Sequence, residues 1–167
     1  VEALARRFRD LNLEAIAICF LFSFENPDHE REVEKILRSS GLTIPIVLSS
    51  DTCPQIREYE RTSTTVVNAY LSPNVAGYID RMSGLMKKYR IFAPWDVVTS
   101  HGGRMSVEAA IRRPVELLEC GAAAGVLGAS SVAKDQNWSK VLSFDMGDTT
   151  AKAAIIVDGE PLLTNNY

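Results

Sequence analysis

The feature that most constrains the fold is the alternation of apolar runs and an amphipathic segment at the start of the chain. The apolar run 15–22 (AIAICFLF) predicts a strand covered on both faces, and 44–50 (IPIVLSS) predicts a second short strand. Between them, Asn26 and Pro27 suit the start of a helix and Gly41 suits its end. This order predicts an α/β layer with at least partly parallel strands.

The rest of the chain alternates in the same way. A helix is predicted over 57–71 despite its β-branched residues, and a second helical stripe follows Pro73 as far as Tyr89. The remaining predicted elements are an N-terminal helix over 1–11, helices near 28–39 and 122–134, a short helix that begins after Ser106 and stops at Pro114, a strand at 95–99, and a hairpin of strands 140–145 and 151–157.

Composition excludes several classes of protein. The 167 residues carry a net charge of −3, which predicts no particular affinity for nucleic acid or an anionic membrane. Cys19, Cys53 and Cys120 are odd in number and far apart, which favours reduced thiols in a cytoplasmic protein over a disulfide framework or a zinc site. The acidic residues Glu25, Glu30, Glu32 and Glu34 are expected on a solvated helix face.

The first glycine-bearing segment that could carry chemistry is 100–106 (SHGGRMS). Gly102 and Gly103 allow a ligand to approach the backbone closely, but a glycine pair is also typical of a strand-to-helix turn, here capped by Ser106. His101 has a side chain suited to proton transfer, although a lone loop histidine is more often a surface residue.

Two further glycine-bearing segments follow. In 119–129 (ECGAAAGVLGA), Gly121, Gly125 and Gly128 recur at helical spacing, which fits either a nucleotide at a helix N-terminus or a small face for close packing. In 145–152 (DMGDTTAK), an aspartate, a glycine and two threonines occupy a predicted hairpin bend. That pattern fits either ordinary turn chemistry or a loop that cradles phosphate while the carboxylate holds a metal ion.

The order of four segments resembles the hydantoinase A/5-oxoprolinase family. The segments are PQIREYERTSTTVVNAYLSP, SHGGRMSVEAAIRRPVELL, CGAAAGVLGA and FDMGDTTAK, and the resemblance covers essentially the whole chain. The family includes ATP-dependent N-methylhydantoinases, 5-oxoprolinases and subunits of acetone and acetophenone carboxylases. A sugar kinase of the same superfamily is disfavoured by the segment YERTSTTVVNAYL.

The resemblance implies an α/β fold of the actin-like ATPase type, with two ribonuclease-H-like lobes present only in part. Residues 1–52 resemble the end of the first lobe, and residues 53–167 resemble the start of the hydantoinase A domain. The segment FDMGDTTAK matches the family's second phosphate loop. The first such loop is not in this sequence, so the chain is interpreted as an internal fragment that is inactive alone.

The chain departs from the family pattern in three segments. Asp148 replaces the second glycine of the phosphate loop, which removes a permissive backbone position and adds a charge that either weakens nucleotide binding or assists a metal ion. Cys120 and the alanines after Gly121 stand where the family often has Ser-Gly-Pro-Ala, and His101 stands where it often has asparagine. These departures bear on substrate choice.

The resemblance implies an ATP-dependent hydrolase that activates a cyclic amide by phosphorylation, with ATP and Mg²⁺ as cofactors and a hydantoinase B-like companion subunit or domain. Two alternatives stay open: a subunit of a related ATP-dependent ketone carboxylase, and a non-catalytic assembly module. The implied site residues are Gly121, Gly125, Asp145, Gly147, Thr149 and Thr150 for nucleotide and phosphate, Asp145 and Asp148 for the metal, Gly102 and Gly103 on the substrate side, and His101 as a candidate catalytic residue.

Overall fold

The computed structural model describes residues 1–162 as helices and short strands arranged in two compact units. The first unit comprises residues 1–94 and 108–115, and the second comprises residues 95–107 and the chain from residue 116 onward. The elements in chain order are α1 (Glu2–Asp10), β1 (Ile16–Ile18), α2 (Asp28–Ser39), β2 (Ile46–Leu48), α3 (Ser49–Thr52), α4 (Glu58–Lys88), β3 (Asp96–Val98), β4 (Arg104–Ser106), α5 (Val107–Arg112), a 3-10 turn (Pro114–Leu117), α6 (Cys120–Asp135), β5 (Lys140–Met146), β6 (Ala151–Val157) and β7 (Glu160–Pro161).

The first unit is built around a short parallel sheet. Strand β1 pairs with β2 in the register Ile16 to Ile46 and Ile18 to Leu48, which confirms the predicted parallel arrangement. Apolar side chains from α1, α2 and both strands meet there because each element contributes its apolar stripe or face. The buried members of this core are Ala5, Ile18, Leu37, Leu42, Ile46 and Leu48.

Both ends of α2 are fixed by the residues that the sequence predicts. The Oδ1 atom of Asn26 accepts a hydrogen bond from the amide of Asp28 at 3.0 Å, which caps the first turn. At the other end Gly41 adopts a φ of +89° and donates its amide to the carbonyl of Arg38 at 3.0 Å. Glycine adopts that left-handed conformation at no steric cost, so it ends the helix.

The first strand is shorter than its apolar run predicts. Strand β1 ends at Ile18, and Leu21 and Phe22 are 73% and 64% exposed, so the prediction of a covered strand over 15–22 is wrong for its second half. The amide of Phe20 donates to the carboxylate of Glu30 at 2.9 Å, and Phe22 has a φ of +56°. These features turn the chain away from the sheet.

The predicted break at Pro73 is also wrong. Helix α4 runs continuously from Glu58 to Lys88 with Pro73 inside it. A proline removes one backbone hydrogen bond from a helix. Here Ser72 next to it donates its hydroxyl to the carbonyl of Asn68 at 2.8 Å, and both residues are buried, so packing of this helix face outweighs the local cost.

The second unit places α6 against an antiparallel sheet of β5, β6 and β7. Strands β5 and β6 form the predicted hairpin. Ile156 of β6 and Ala133 of α6 are the most buried apolar side chains among the described residues of this unit. Gly159, with a φ of +77°, lies so close to the side chain of Lys134 that a Cβ atom there would clash with it. A glycine is therefore required at that turn.

A short hairpin precedes α6 in the same unit. The predicted strand near 95–99 is β3, and it pairs with β4, an antiparallel strand that the sequence pattern does not predict. The predicted short helix after Ser106 is α5. Within residues 1–162, no helix combines the length and the apolar character needed to cross a membrane. The cysteines Cys19, Cys53 and Cys120 are unpaired.

Candidate functional site

All of the predicted site residues lie in the second unit. The most informative of them occupy the bend that joins β5 to β6. The paired strands end at Met146 and Ala151, and the amide of Gly147 donates to the carbonyl of Thr150 at 3.0 Å to close the bend. The predicted strand, turn and strand are therefore present at the predicted positions in the chain.

The bend has free donors. Within residues 1–162, the amides of Asp148 and Thr149 and the hydroxyls of Thr149 and Thr150 have no hydrogen-bond partner. All of these residues are exposed. Successive backbone N–H groups in a turn form a concavity that suits an anion, and hydroxyls add further donors. The residues present thus fit a phosphate group.

The apolar residues before Asp145 predict a buried strand that ends at this residue, and the structure corrects that prediction. Asp145 is exposed, and the alternate residues Leu142, Phe144 and Met146 are 66%, 63% and 72% exposed. The face of the hairpin that carries them has no cover within residues 1–162, whereas the opposite face contains buried Ile156 beside Val141. The apolar pattern of β5 predicts burial that the described residues do not provide.

Asp148 adopts its backbone conformation without strain. Its φ is outside the left-handed region, and so is that of Gly147, where an added Cβ would lie 4.0 Å from the carbonyl oxygen of Thr150. The permissive backbone position that Asp148 removes is therefore not required in this conformation. What Asp148 changes at the bend is the local charge.

Asp145 and Asp148 are the carboxylates of the bend that could hold a metal ion. Within the described part of the chain, no three side chains among His, Cys, Asp and Glu come together as a metal site would require. Mg²⁺ commonly takes one or two carboxylates and completes its shell with water and substrate phosphates. Asp145 and Asp148 fit that pattern in number and chemistry.

Helix α6 presents its glycines to open space. A Cβ atom added at Gly121, Gly125 or Gly128 would meet nothing within 4 Å, so close packing does not require these glycines within residues 1–162. Glu119 precedes the helix with a φ of +61° and makes no side-chain cap. The first turn of α6 is thus uncapped and accessible, as anion binding at a helix start would require.

The glycine pair forms a tight loop between β3 and β4. Thr99 fixes both ends: its carbonyl accepts from the amide of Gly102 at 3.0 Å, and its hydroxyl accepts from the amide of Gly103 at 3.1 Å. Gly102 has a φ of +79° and faces Leu127 of α6. The predicted strand-to-helix turn capped by Ser106 is instead a hairpin turn, because β4 intervenes.

His101 points to solvent. Its side chain is 83% exposed, and its Nδ1 atom lies 3.5 Å from Oε2 of Glu116. The backbone carbonyl of Glu116 also accepts bonds from the amide and hydroxyl of Ser100, at 2.7 Å and 2.8 Å. Glu116 therefore holds this loop at both its backbone and its side chain.

Sequence reasoning missed the ion pair that joins the second and third glycine segments. Lys152, directly opposite Asp145 in the strand register, pairs its Nζ atom with the carboxylate of Glu119. Neither residue attracts notice in the sequence, because each is an ordinary charged residue beside a glycine segment. The signal that could have found Lys152 is its position two residues after the bend, which a hairpin register places beside Asp145.

A second set of missed residues lies in the first unit. Glu30 is 0% exposed, which corrects its placement on a solvated face. Its carboxylate accepts bonds from the amides of Phe20 and Ser50, both at 2.9 Å, and from the hydroxyl of Ser49 at 2.7 Å. Burial acts to raise the pKa of Glu30, but these hydrogen bonds from Ser49, Ser50 and Phe20 outweigh it and hold the pKa below its ordinary value.

Arg61 and Asn68 complete the buried polar side of α4. The guanidinium of Arg61 donates to the carbonyls of Gln55 and Phe20, at 2.8 Å and 3.0 Å. Asn68 donates to the carbonyl of Arg112 and accepts from the amide of Val115, both at 3.0 Å. These side chains hold backbone segments together, which is a structural task.

The sequence pattern of the hydantoinase/oxoprolinase family matches residues 61–167, and that of its N-terminal region matches residues 1–41. The chain belongs to this family. The family patterns leave 42–60 unmatched, and the compact units divide elsewhere, so the predicted boundary after residue 52 stays a prediction.

Named relatives extend the match over nearly the whole chain. An uncharacterized protein of Methanocaldococcus jannaschii is 36% identical over 100% of this chain and 25% of its own length. The caprolactamase subunit alpha of Pseudomonas jessenii is 34% identical over 90% of this chain and 22% of its own length. The 5-oxoprolinase of Saccharomyces cerevisiae is 32% identical over 88% of this chain and 11% of its own length. The chain thus spans a quarter or less of these relatives.

Two solved structures share the fold. The nucleotide-free form of an acetone carboxylase, an enzyme of ATP-dependent acetone carboxylation, superimposes with a TM-score of 0.81 at 28% identity, over 95% of this chain and 23% of that one. The ATP-dependent caprolactamase of Pseudomonas jessenii gives 0.79 at 33% identity, over 92% of this chain and 22% of that one. The predicted fold class, a partial α/β fold of the actin-like ATPase type, is confirmed.

Proposed function

We propose that this chain is part of an ATP-dependent hydrolase of cyclic amides and that the bend at residues 147–150 binds phosphate. The observation that carries the proposal is the set of free amides and hydroxyls at an exposed bend. Support comes from the relatives, which include an ATP-dependent caprolactamase and a 5-oxoprolinase. Both of these names describe enzymes that act on cyclic amides.

The chemistry that the bend would serve is activation of a poor electrophile. ATP would transfer a phosphoryl group to the amide oxygen and leave as ADP. The amide carbon would then be electrophilic enough for water to add and for the ring C–N bond to break. The amides of Asp148 and Thr149 and the two threonine hydroxyls would neutralise phosphate oxygens as charge shifts between them. Asp145 and Asp148 would hold Mg²⁺ together with those oxygens, and Gly121 and Gly125 would allow the nucleotide to lie close to α6.

The substrate side of the proposal rests on the loop at residues 101–103. Gly102 and Gly103 expose backbone beside α6, since Gly102 faces Leu127. His101 is exposed and has Glu116 beside its Nδ1 atom, which suits a residue that takes or gives a proton. We assign this loop to the cyclic amide.

The proposed protein works with a companion subunit, since the relative from Pseudomonas jessenii is named as subunit alpha. The partner is of the hydantoinase B type in our proposal. Reduced cysteines fit a cytoplasmic setting, and Cys19, Cys53 and Cys120 are all free thiols.

A ketone carboxylase subunit is the second candidate. Acetone carboxylase gives the slightly higher TM-score, 0.81 against 0.79. Sequence identity favours the hydrolase, at 33% for caprolactamase against 28% for acetone carboxylase. A non-catalytic assembly module is favoured only by Asp148, which adds negative charge where an anion is proposed to bind.

The test uses the complete polypeptide that contains this chain, co-purified with its companion subunit. Calorimetry with MgATP and lactam-stimulated phosphate release would be measured for the wild type, Asp145→Ala and Asp135→Ala. Asp135 is an equally exposed aspartate at the end of α6 and serves as the matched control. We expect Asp145→Ala to weaken MgATP binding more than tenfold and Asp135→Ala to change it little.

The outcomes separate the candidates. Absence of ATP binding by the wild type would favour the assembly module. Stimulation by a ketone and bicarbonate but not by any lactam would favour the carboxylase. Equal effects of the two aspartate variants would remove the bend from the nucleotide site.

A further inference from the structure

We propose that Lys152 is the cation of the phosphate site and that Glu119 holds it when no nucleotide is bound. The inference rests on the proposed function, because it assigns a further residue to the same site. It follows from the strand register, from the charges around the bend and from the ion pair that Lys152 makes.

The register places Lys152 beside the bend. Lys152 is the direct partner of Asp145 in the antiparallel pair, and it follows Thr150 by two residues. Side chains directly opposite each other in such a pair lie on one face, with Cβ atoms about 5 Å apart. A lysine is long enough from there to reach any anion that the bend holds.

The charges around the bend favour such a residue. Asp145 and Asp148 put two negative charges at the bend, and a triphosphate adds more. Lys152 is the only basic residue between Asp145 and Val157. Lysine binds phosphate as a mobile point charge, and it needs no fixed geometry to do so.

The partner of Lys152 explains how the charge is held in place. Asp145 is the cross-strand neighbour of Lys152. The Nζ atom of Lys152 nevertheless pairs with the carboxylate of Glu119, the residue before α6. Both side chains are partly exposed, at 41% for Lys152 and 66% for Glu119. An ion pair of this exposure contributes little stability, so a phosphate group can displace the carboxylate readily.

This arrangement connects two glycine segments of the sequence. Glu119 belongs to the segment that begins α6, and Lys152 belongs to the segment of the hairpin bend. When a phosphate group pairs with Lys152, the carboxylate of Glu119 loses its partner at the start of α6. Binding at the bend is thereby coupled to the first turn of α6.

The experiment measures binding of ATP and of inorganic tripolyphosphate to the complete protein by calorimetry. The variants are Lys152→Gln, Glu119→Gln and Lys140→Gln, and the last removes an exposed lysine at the far end of β5 as a control. We expect Lys152→Gln to weaken both ligands about tenfold and Lys140→Gln to leave them unchanged. Glu119→Gln should tighten both by about threefold, since a competing carboxylate is gone.

Glu119→Gln distinguishes a binding role from a structural one. If the ion pair only stabilises the hairpin, Glu119→Gln and Lys152→Gln will lower the melting temperature alike and weaken binding alike, which overturns the inference. If Lys152→Gln binds both ligands normally while Asp145→Ala does not, the inference fails and the proposed function stands. If the wild type binds neither ligand, both fail.

Discussion

The two units hold their carboxylates in opposite ways. In the first unit Glu30 is 0% exposed and receives three hydrogen bonds from Phe20, Ser49 and Ser50. In the second unit Asp145 is exposed beside a bend whose donors have no partner within residues 1–162. Groups bound by their own chain stabilise it, whereas groups left open can bind something else. Burial with full hydrogen bonding therefore identifies structure, and exposure with unused donors identifies a candidate site.

The largest expected effect tests whether the buried carboxylate of Glu30 stabilises the first unit. Glu30→Ala would remove the shared acceptor of the amides of Phe20 and Ser50 and of the buried hydroxyl of Ser49, which should lower the free energy of unfolding by about 3 kcal/mol. Urea denaturation of the complete protein measures it. Glu32→Ala, an exposed carboxylate on the same helix, should cost less than about 0.5 kcal/mol. Similar losses for both variants would show that Glu30 is an ordinary surface residue.

The pH dependence of stability gives a second test of the structural role of Glu30. The pKa of Glu30 is held below its unfolded value of about 4.3, so its stabilising contribution is present above that pH and is lost as the pH falls through the folded pKa. Glu30→Gln should therefore be less stable than the wild type at neutral pH, and the difference should narrow below about pH 4. A constant difference between pH 7 and pH 3 would contradict this assignment.

Sequence patterns predicted the elements better than they predicted burial. The helix caps at Asn26 and Gly41 and the hairpin of β5 and β6 depend on local chemistry, and all were predicted correctly. Glu30 depends on Phe20 and Ser50, which are distant in sequence, and no periodicity reveals such partners. Its neighbours on the helix are charged, so the pattern indicated a solvated face.

The candidate site was likewise predicted only where its residues are close together in the sequence. The bend was predicted because Asp145, Gly147, Thr149 and Thr150 form a recognisable string. Lys152 was missed because its importance comes from strand register and from Glu119, which lies in another segment. The apolar pattern of β5 predicted burial, but the outward-facing apolar side chains of this strand have no cover within residues 1–162.

A smaller effect tests whether the free hydroxyls of the bend bind a ligand. Replacing Thr149 and Thr150 together by valine keeps their shape and removes two hydroxyl donors that have no partner within residues 1–162. MgATP binding should weaken about tenfold, which is about 1.4 kcal/mol, while the free energy of unfolding should change by less than about 0.5 kcal/mol. Thr65→Val is the matched control. The buried hydroxyl of Thr65 donates to the carbonyl of Arg61 at 2.6 Å, so its loss should lower the free energy of unfolding and leave MgATP binding unchanged. The opposite pattern would show that the bend is structural.

The smallest expected effect concerns Asp148. Its backbone conformation suits any residue, so Asp148→Gly changes mainly the charge near the bend. The side chain is exposed, and solvent screens its repulsion of a triphosphate, so the change should tighten nucleotide binding only about threefold. Raising the salt concentration should reduce that gain, since an exposed charge is screened by ions. If Asp148 instead helps to hold Mg²⁺, Asp148→Gly will weaken binding in the presence of Mg²⁺ and leave metal-free binding unchanged. Calorimetry with and without Mg²⁺ separates the two, and no change in either condition would make the bend an ordinary turn.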